Sequence, residues 1–154
     1  MNVEDCNLPG NCASENCQKY LAMTKHAISV FDAEAMMKNF FHGEVPEGKE
    51  IFKSDLLEEL KNFACDQSRV VIHSDFWNTL GNDDIVVEIM EGYKPEPGTV
   101  CFSVASIYGF LNHAVESSFR ICKAQGAGGE NTVVFIGIDS GGTPHYMDLT
   151  YLYP

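Results

Sequence analysis

Basic residues are scarce in this sequence. Ten Lys and Arg stand against twenty-two Asp and Glu in 154 residues, a net charge of −12. A surface with that balance repels phosphate backbones and anionic membranes, which argues against direct nucleic-acid binding and membrane binding. It complements a basic protein surface. Long apolar runs are missing as well: none approaches the ~18 residues that a membrane span requires. The start carries Glu4 and Asp5 and no apolar segment, so it does not read as a secretory signal. A tight Cys-x-x-Cys pair is also lacking. The six cysteines fall at 6, 12, 17, 65, 101 and 122. The C-x5-C-x4-C run of Cys6, Cys12 and Cys17, even with His26 or His42, does not pre-form half a zinc tetrahedron. No metal or other cofactor is expected. In a chain this rich in core residues the cysteines read as reduced thiols, and the location as cytoplasmic.

What is present is enough to fold. The apolar fraction is 45%, with ten Phe and six Tyr. That supplies the area needed to offset chain ordering. We expect a single globular domain over 1–154.

Periodicity gives the elements. A helix is expected from about Ala13 to Lys25, and a second over DAEAMMKNFFHG with Asp32 as N-cap and Gly43 as its end. Ser54 caps SDLLEELKNFAC, where Leu56, Leu57, Leu60 and Phe63 recur at helical spacing. RVVIHSD and DIVVEIM read as strands. After the prolines of GYKPEPG, Val104, Tyr108, Leu111, Val115, Phe119 and Cys122 fit one stripe, and the spacing predicts a long helix from about Val100 to Lys123. TVVFIGID and HYMDLTYLY flank SGGTP and form a hairpin. The order predicts an α+β fold: a mainly antiparallel sheet with a C-terminal β-hairpin, covered by three to four helices.

Two constellations could carry function. The first is the acidic stretch of Asp75, Asp83, Asp84, Glu88 and Glu91, interleaved with Trp77 and Tyr93. Carboxylates steer a basic partner and aromatics supply the desolvated contact. The leading expectation is therefore a binding module of the inhibitor or immunity type. It would occlude a basic partner such as a nucleic-acid enzyme or toxin.

The second is Cys12 with His145. A cysteine at a helix start has a lowered pKa, and a histidine on a strand can serve as its base. The PGNC stretch ahead of a helix and the PHYMDL strand resemble the two ends of a papain-like cysteine hydrolase, most of all the ovarian-tumour-type deubiquitinases. That resemblance implies Cys12 as nucleophile and His145 as base. The chain has Leu8 and Pro9 where that family carries an aspartate. On a strand, Asp148 points away from His145 and cannot orient it. Cys101, between Val100 and Phe102, is a weaker nucleophile candidate and reads as packing. A third expectation is a homodimer through the C-terminal hairpin, with Tyr146, Tyr151 and Tyr153 at the interface.

Overall fold

The structure is a computed structural model that describes residues 12–74, 77, 79–92 and 99–148. Near the start, α1 (Glu15–Tyr20) runs into a π-helical turn, Leu21–Lys25. The Ser14 side chain accepts from the Cys17 amide, as a short polar cap should. Then come β1 (Ala27–Ile28) and α2 (Val30–Phe41). Ser29, not Asp32, caps α2: its hydroxyl accepts from the Asp32 amide at 3.0 Å. Asp32 lies in the first turn, where the helix dipole favours a negative charge. The helix closes on His42 in the left-handed region, one residue before Gly43.

Next are β2 (Lys49–Phe52), α3 (Lys53–Leu60), β3 (Ser68–Ser74) and β4 (Ile85–Glu91). The helix α3 begins at Lys53 with no side-chain cap and ends before Phe63, so it is shorter than the Ser54-capped helix expected from the spacing.

The expected long helix over 100–123 is replaced by three elements: β5 (Thr99–Ser103), α4 (Val104–Ala114) and β6 (Ser118–Gln125). Ser103 caps α4 by accepting from the Ser106 amide at 3.1 Å. Val115 is already extended, and residues 118–125 are strand. Period-2 positions Phe119 and Ile121 fall in the core cluster, a pattern that competes with the helical stripe over the same residues. The described residues close with the expected hairpin of β7 (Asn131–Ile138) and β8 (Pro144–Asp148); residues 149–153 of the expected second strand lie outside them.

Among the described residues the strands form two antiparallel sheets, one of five in order β1-β8-β7-β6-β2 and one of three in order β4-β3-β5. The fold is α+β, as the element order predicts, with two sheets in place of one. Alternation gives the five-stranded sheet two buried faces. Phe119, Ile121, Val133, Phe135 and Met147 pack with α4 and the three-stranded sheet in the main core. Cys122, Ala124 and Val134 pack against Ala33, Met37 and Phe41 of α2. Four phenylalanines form the centre: Phe102, Phe110 and Phe119 each lie 4.7–5.6 Å from Phe135, ring centre to ring centre. Burying each is worth roughly 1.5–3 kcal/mol. Gly109 lets α1 touch α4, because a Cβ there would collide with the Gln18 carbonyl.

The loop between β3 and β4 is fastened to β6 by one buried cation. The Lys123 side chain is fully buried; its Nζ donates to Asp84 Oδ1 at 2.7 Å and to Thr79 Oγ1 at 2.9 Å. Thr79 donates in turn to Asp84 Oδ2 at 3.0 Å. The Lys123 amide donates to Asn82 Oδ1 at 2.9 Å, and Nζ sits 5.9 Å from the centre of the Phe40 ring. Breaking such a pair from one side leaves a badly compensated charge. We predict that Asp84→Ala lowers unfolding free energy by about 3 kcal/mol, and that adding Lys123→Met restores much of it. Equal losses from the single and double variants in urea melts would refute a charge-pairing role.

Candidate functional site

Cys12 does not carry a thiol in this structure. It is bonded to Cys65, 53 residues away, with the Cα atoms 5.8 Å apart. This corrects both the reduced-thiol expectation and the nucleophile assignment: a disulfide sulfur has no thiolate to attack with, whatever the helix dipole does. In the chain-entropy account a loop of this length stabilises the fold by about 4 kcal/mol. The bond ties the start of α1 to the turn after α3, beside Leu21 and Ala105. The zinc arrangement loses Cys12 by the same bond, and Cys17 and His26 are buried. Cys101 lies within β5, opposite Val71, and not at a helix start. Burial pushes the Cys122 thiol up to about 11, which makes it inert.

His145 has a carboxylate partner, but not one on its own strand. Its Nε2 lies 2.8 Å from Asp139 Oδ2, in the hairpin turn. Asp139 Oδ1 accepts from the Gly141 and Thr143 amides, at 2.9 Å each. The His145 contact first, and then these amides, hold the Asp139 carboxyl below the usual range. His145 is half-buried rather than a core residue, and it borders a hollow of about 250 Å³ with Ala22, Met23 and Phe110. Cys12 does not line that hollow. The contact is a turn clamp: it fixes the 139–143 connection and so the register of β7 with β8. Tyr146 packs toward α2; Tyr151 and Tyr153 lie outside the described residues.

The acidic stretch divides. Asp84 belongs to the Lys123 network, which gives it an internal role. Trp77 is half-buried, packed on the core and edge-on to Phe40 at 6.3 Å. Asp75 and Tyr93 lie outside the described residues. Asp83 and Glu91 are exposed, and Glu88 is exposed with His73 Nε2 at 3.1 Å. These three remain on or beside β4. Among the described residues β4 pairs only with β3, so its outer edge is a sheet edge. Val86, Glu88 and Met90 share one face, with Val86 and Met90 each 38% exposed. Ile85, Val87 and Ile89 point to the core. Lys49 reaches across from β2, donating to the Ile85 carbonyl at 2.6 Å and so securing one end of β4.

One group carries no functional role in the sequence expectations. Asp148 is 1% exposed, and neither carboxylate oxygen has a hydrogen-bond partner. Burial first, and then the charge of Glu130, raise it from 3.8 to about 6. The backbone amide of Asp148 donates to the carbonyl of His26, a second buried titratable residue. Burial first, and then the charge of Lys25, lower His26 from 6.5 to about 4. The only available sequence signal for Asp148 was its alternation with the apolar Met147.

No known protein family, curated protein or solved structure matches the chain. Among the described residues no helix is long and apolar enough to cross a membrane.

His26 and Asp148 make opposite contributions to acid stability. The native Asp148 holds its proton to higher pH than the unfolded chain does, so its contribution falls as pH rises from 3.8 to about 6. The native His26 refuses a proton that the unfolded chain accepts, so its contribution falls as pH drops from 6.5 to about 4. We predict a flat stability profile for the wild type in that window. Asp148→Asn should be more stable near neutrality and lose stability on acidification; His26→Gln should show the reverse slope. Denaturant melts across this pH range that give all three proteins the same slope would refute the assignment.

Proposed function

We propose that the chain is a binding protein whose β4 edge docks on a basic partner protein. The observation that supports this most is the alternation of Val86, Glu88 and Met90 along the outer face of an edge strand, with Asp83 and Glu91 beside it. Apolar atoms there supply contact area, and the carboxylates steer and align a cationic surface. An edge strand also offers backbone groups to an incoming strand. The net charge of −12 acts over the whole molecule in the same direction. The action is occlusion, with carboxylates standing where a nucleic-acid enzyme or toxin would hold phosphates. The docking surface is smaller than the sequence implied, because Asp84 and Trp77 serve the interior.

The complex should weaken steeply with salt. A basic protein captured from lysate at low salt, then purified and re-mixed, should lose about tenfold in affinity for Glu88→Lys/Glu91→Lys. It should keep its affinity for a charge reversal on a remote surface, Glu34→Lys. Equal losses from both reversals would show only long-range attraction and would overturn β4 as the docking site.

A cytoplasmic setting belongs to the same proposal. Glutathione keeps cytosolic thiols reduced, whereas Cys12 and Cys65 are bonded here. For a cytosolic protein, rapid alkylation in intact cells should label both residues. Failure to label either places the chain in an oxidising compartment.

A further inference from the structure

A pocket of about 440 Å³ lies between α2 and the β7–β8 end of the five-stranded sheet, within the size range of small-ligand sites. Ile28, Ala35 and Met36 give it an apolar wall. Its acidic lining is Asp32, Glu130 and Asp148, and no basic side chain lines it.

Two buried polar groups there are unanswered. Neither oxygen of Asp148 has a partner, and the hydroxyl of Thr132, a residue 3% exposed, has none either. Asp148 is paired with Val134, so Thr132 lies one step along the same face of the neighbouring strand. Leaving a carboxylate dry and unpaired costs several kcal/mol, and such groups need an explanation. An apolar residue at 148 would continue the packing of Val134 against α2 without that cost.

The loop after β6 adds a second charge. The Gly126 amide donates to the Glu130 carbonyl at 3.0 Å, and the Gly129 amide donates to the Gly126 carbonyl at 3.0 Å. The Glu130 carboxylate lies over Gly126 and Gly128, in space that a Cβ at either position would take. Those two glycines let Glu130 fold back beside the pocket, and its charge acts on Asp148. Two like charges thus face one pocket, which is unfavourable until a cation enters. Among the described residues no three carboxylate, thiol or imidazole groups converge on a common point as metal ligands would. The apolar wall calls instead for a cation with a hydrocarbon body.

We propose that this pocket binds a small primary amine, its ammonium held by Asp148, Glu130 and the Thr132 hydroxyl and its hydrocarbon part against Ile28 and Met36. An ammonium has three donors and no acceptor, which suits a lining of unpaired acceptors. The pocket shares no residue with the β4 edge, so either can fail without the other.

The test is methyl NMR of the full chain, labelled at Met and Ile, titrated with butylamine and phenethylamine and with the matching alcohols. The Met36 and Ile28 methyls should shift saturably with the amines and not with the alcohols. Asp148→Asn and Glu130→Gln should each weaken binding at least about tenfold. Met36→Trp, which fills the cavity and leaves the acids in place, should abolish the shift at Ile28. Glu130 is exposed, so its variant tests the charge even if a change at 148 disturbs folding. The proposal is overturned if no amine gives a saturable shift, if the alcohols act equally, or if Glu130→Gln binds as the wild type does. It is also overturned if only a lysine-containing peptide binds.

Discussion

One buried ammonium pins the loop between β3 and β4 of the three-stranded sheet onto the five-stranded sheet. Lys123 lies in β6 between the core residues Cys122 and Ala124, and its charge is met by Asp84 and Thr79 from the loop that joins β3 to β4. Trp77 of that loop packs on the core as well, but only the Lys123 pair fixes the loop to β6 through charge. The same loop delivers Asn82 to the backbone of Lys123 and to the Glu47 carbonyl at 3.2 Å, which joins it to the approach to β2. Polar networks of this kind are poor sources of net stability, because desolvation offsets the attraction. What they supply is geometry. An apolar residue at 123 would tolerate several loop positions, whereas an ammonium with fixed acceptors tolerates few.

That constraint also explains why the acidic stretch was misleading. In the sequence, Asp83 and Asp84 look alike, adjacent carboxylates in a run of negative charge. In the structure, one is exposed and the other answers a lysine 39 residues away. Nothing local distinguishes them, since the partner is long-range and the strand that carries it has a helical period in the sequence. The strand at 118–125 and the pairing of Asp84 are thus linked. A helix that ends at Lys123 offers no buried cation, and so no reason for a half-buried aspartate to meet one.

Elements with one clear period were legible. The strands over 68–74, 85–91 and 131–138 follow β-branched runs bounded by turn residues, and the hairpin follows its glycines. Where two periods fitted the same residues, length decided wrongly: Val104–Leu111 is helical, but Phe119 and Cys122 fit the same stripe by coincidence and belong to opposite faces of a strand. The Cys12–Cys65 bond could not be read, because pairing depends on two turns meeting in space. Strand alternation puts Asp148 on the face opposite His145, and the structure agrees: Asp148 does not touch the histidine. The orienting residue, Asp139, lies across a turn whose geometry the sequence does not state.

The removal of Asp148 from the histidine leads to the least economical feature of the fold. A strand that alternates strictly must bury residue 148 if it exposes neither face, and both faces of this sheet are covered. Any side chain there is taken from water, so a carboxylate stays only at the expense of a raised pKa or in the company of a cation. The nearby histidine does not resolve this, since its own burial favours the neutral ring. Two neighbouring buried groups therefore both resist charging near pH 5, one by keeping its proton and the other by refusing one. The chain carries a polar floor beneath α2 whose complement is not supplied by its own lining side chains, in a region where small apolar residues would pack without cost. That is the pattern expected where a site has been kept for something that arrives from outside.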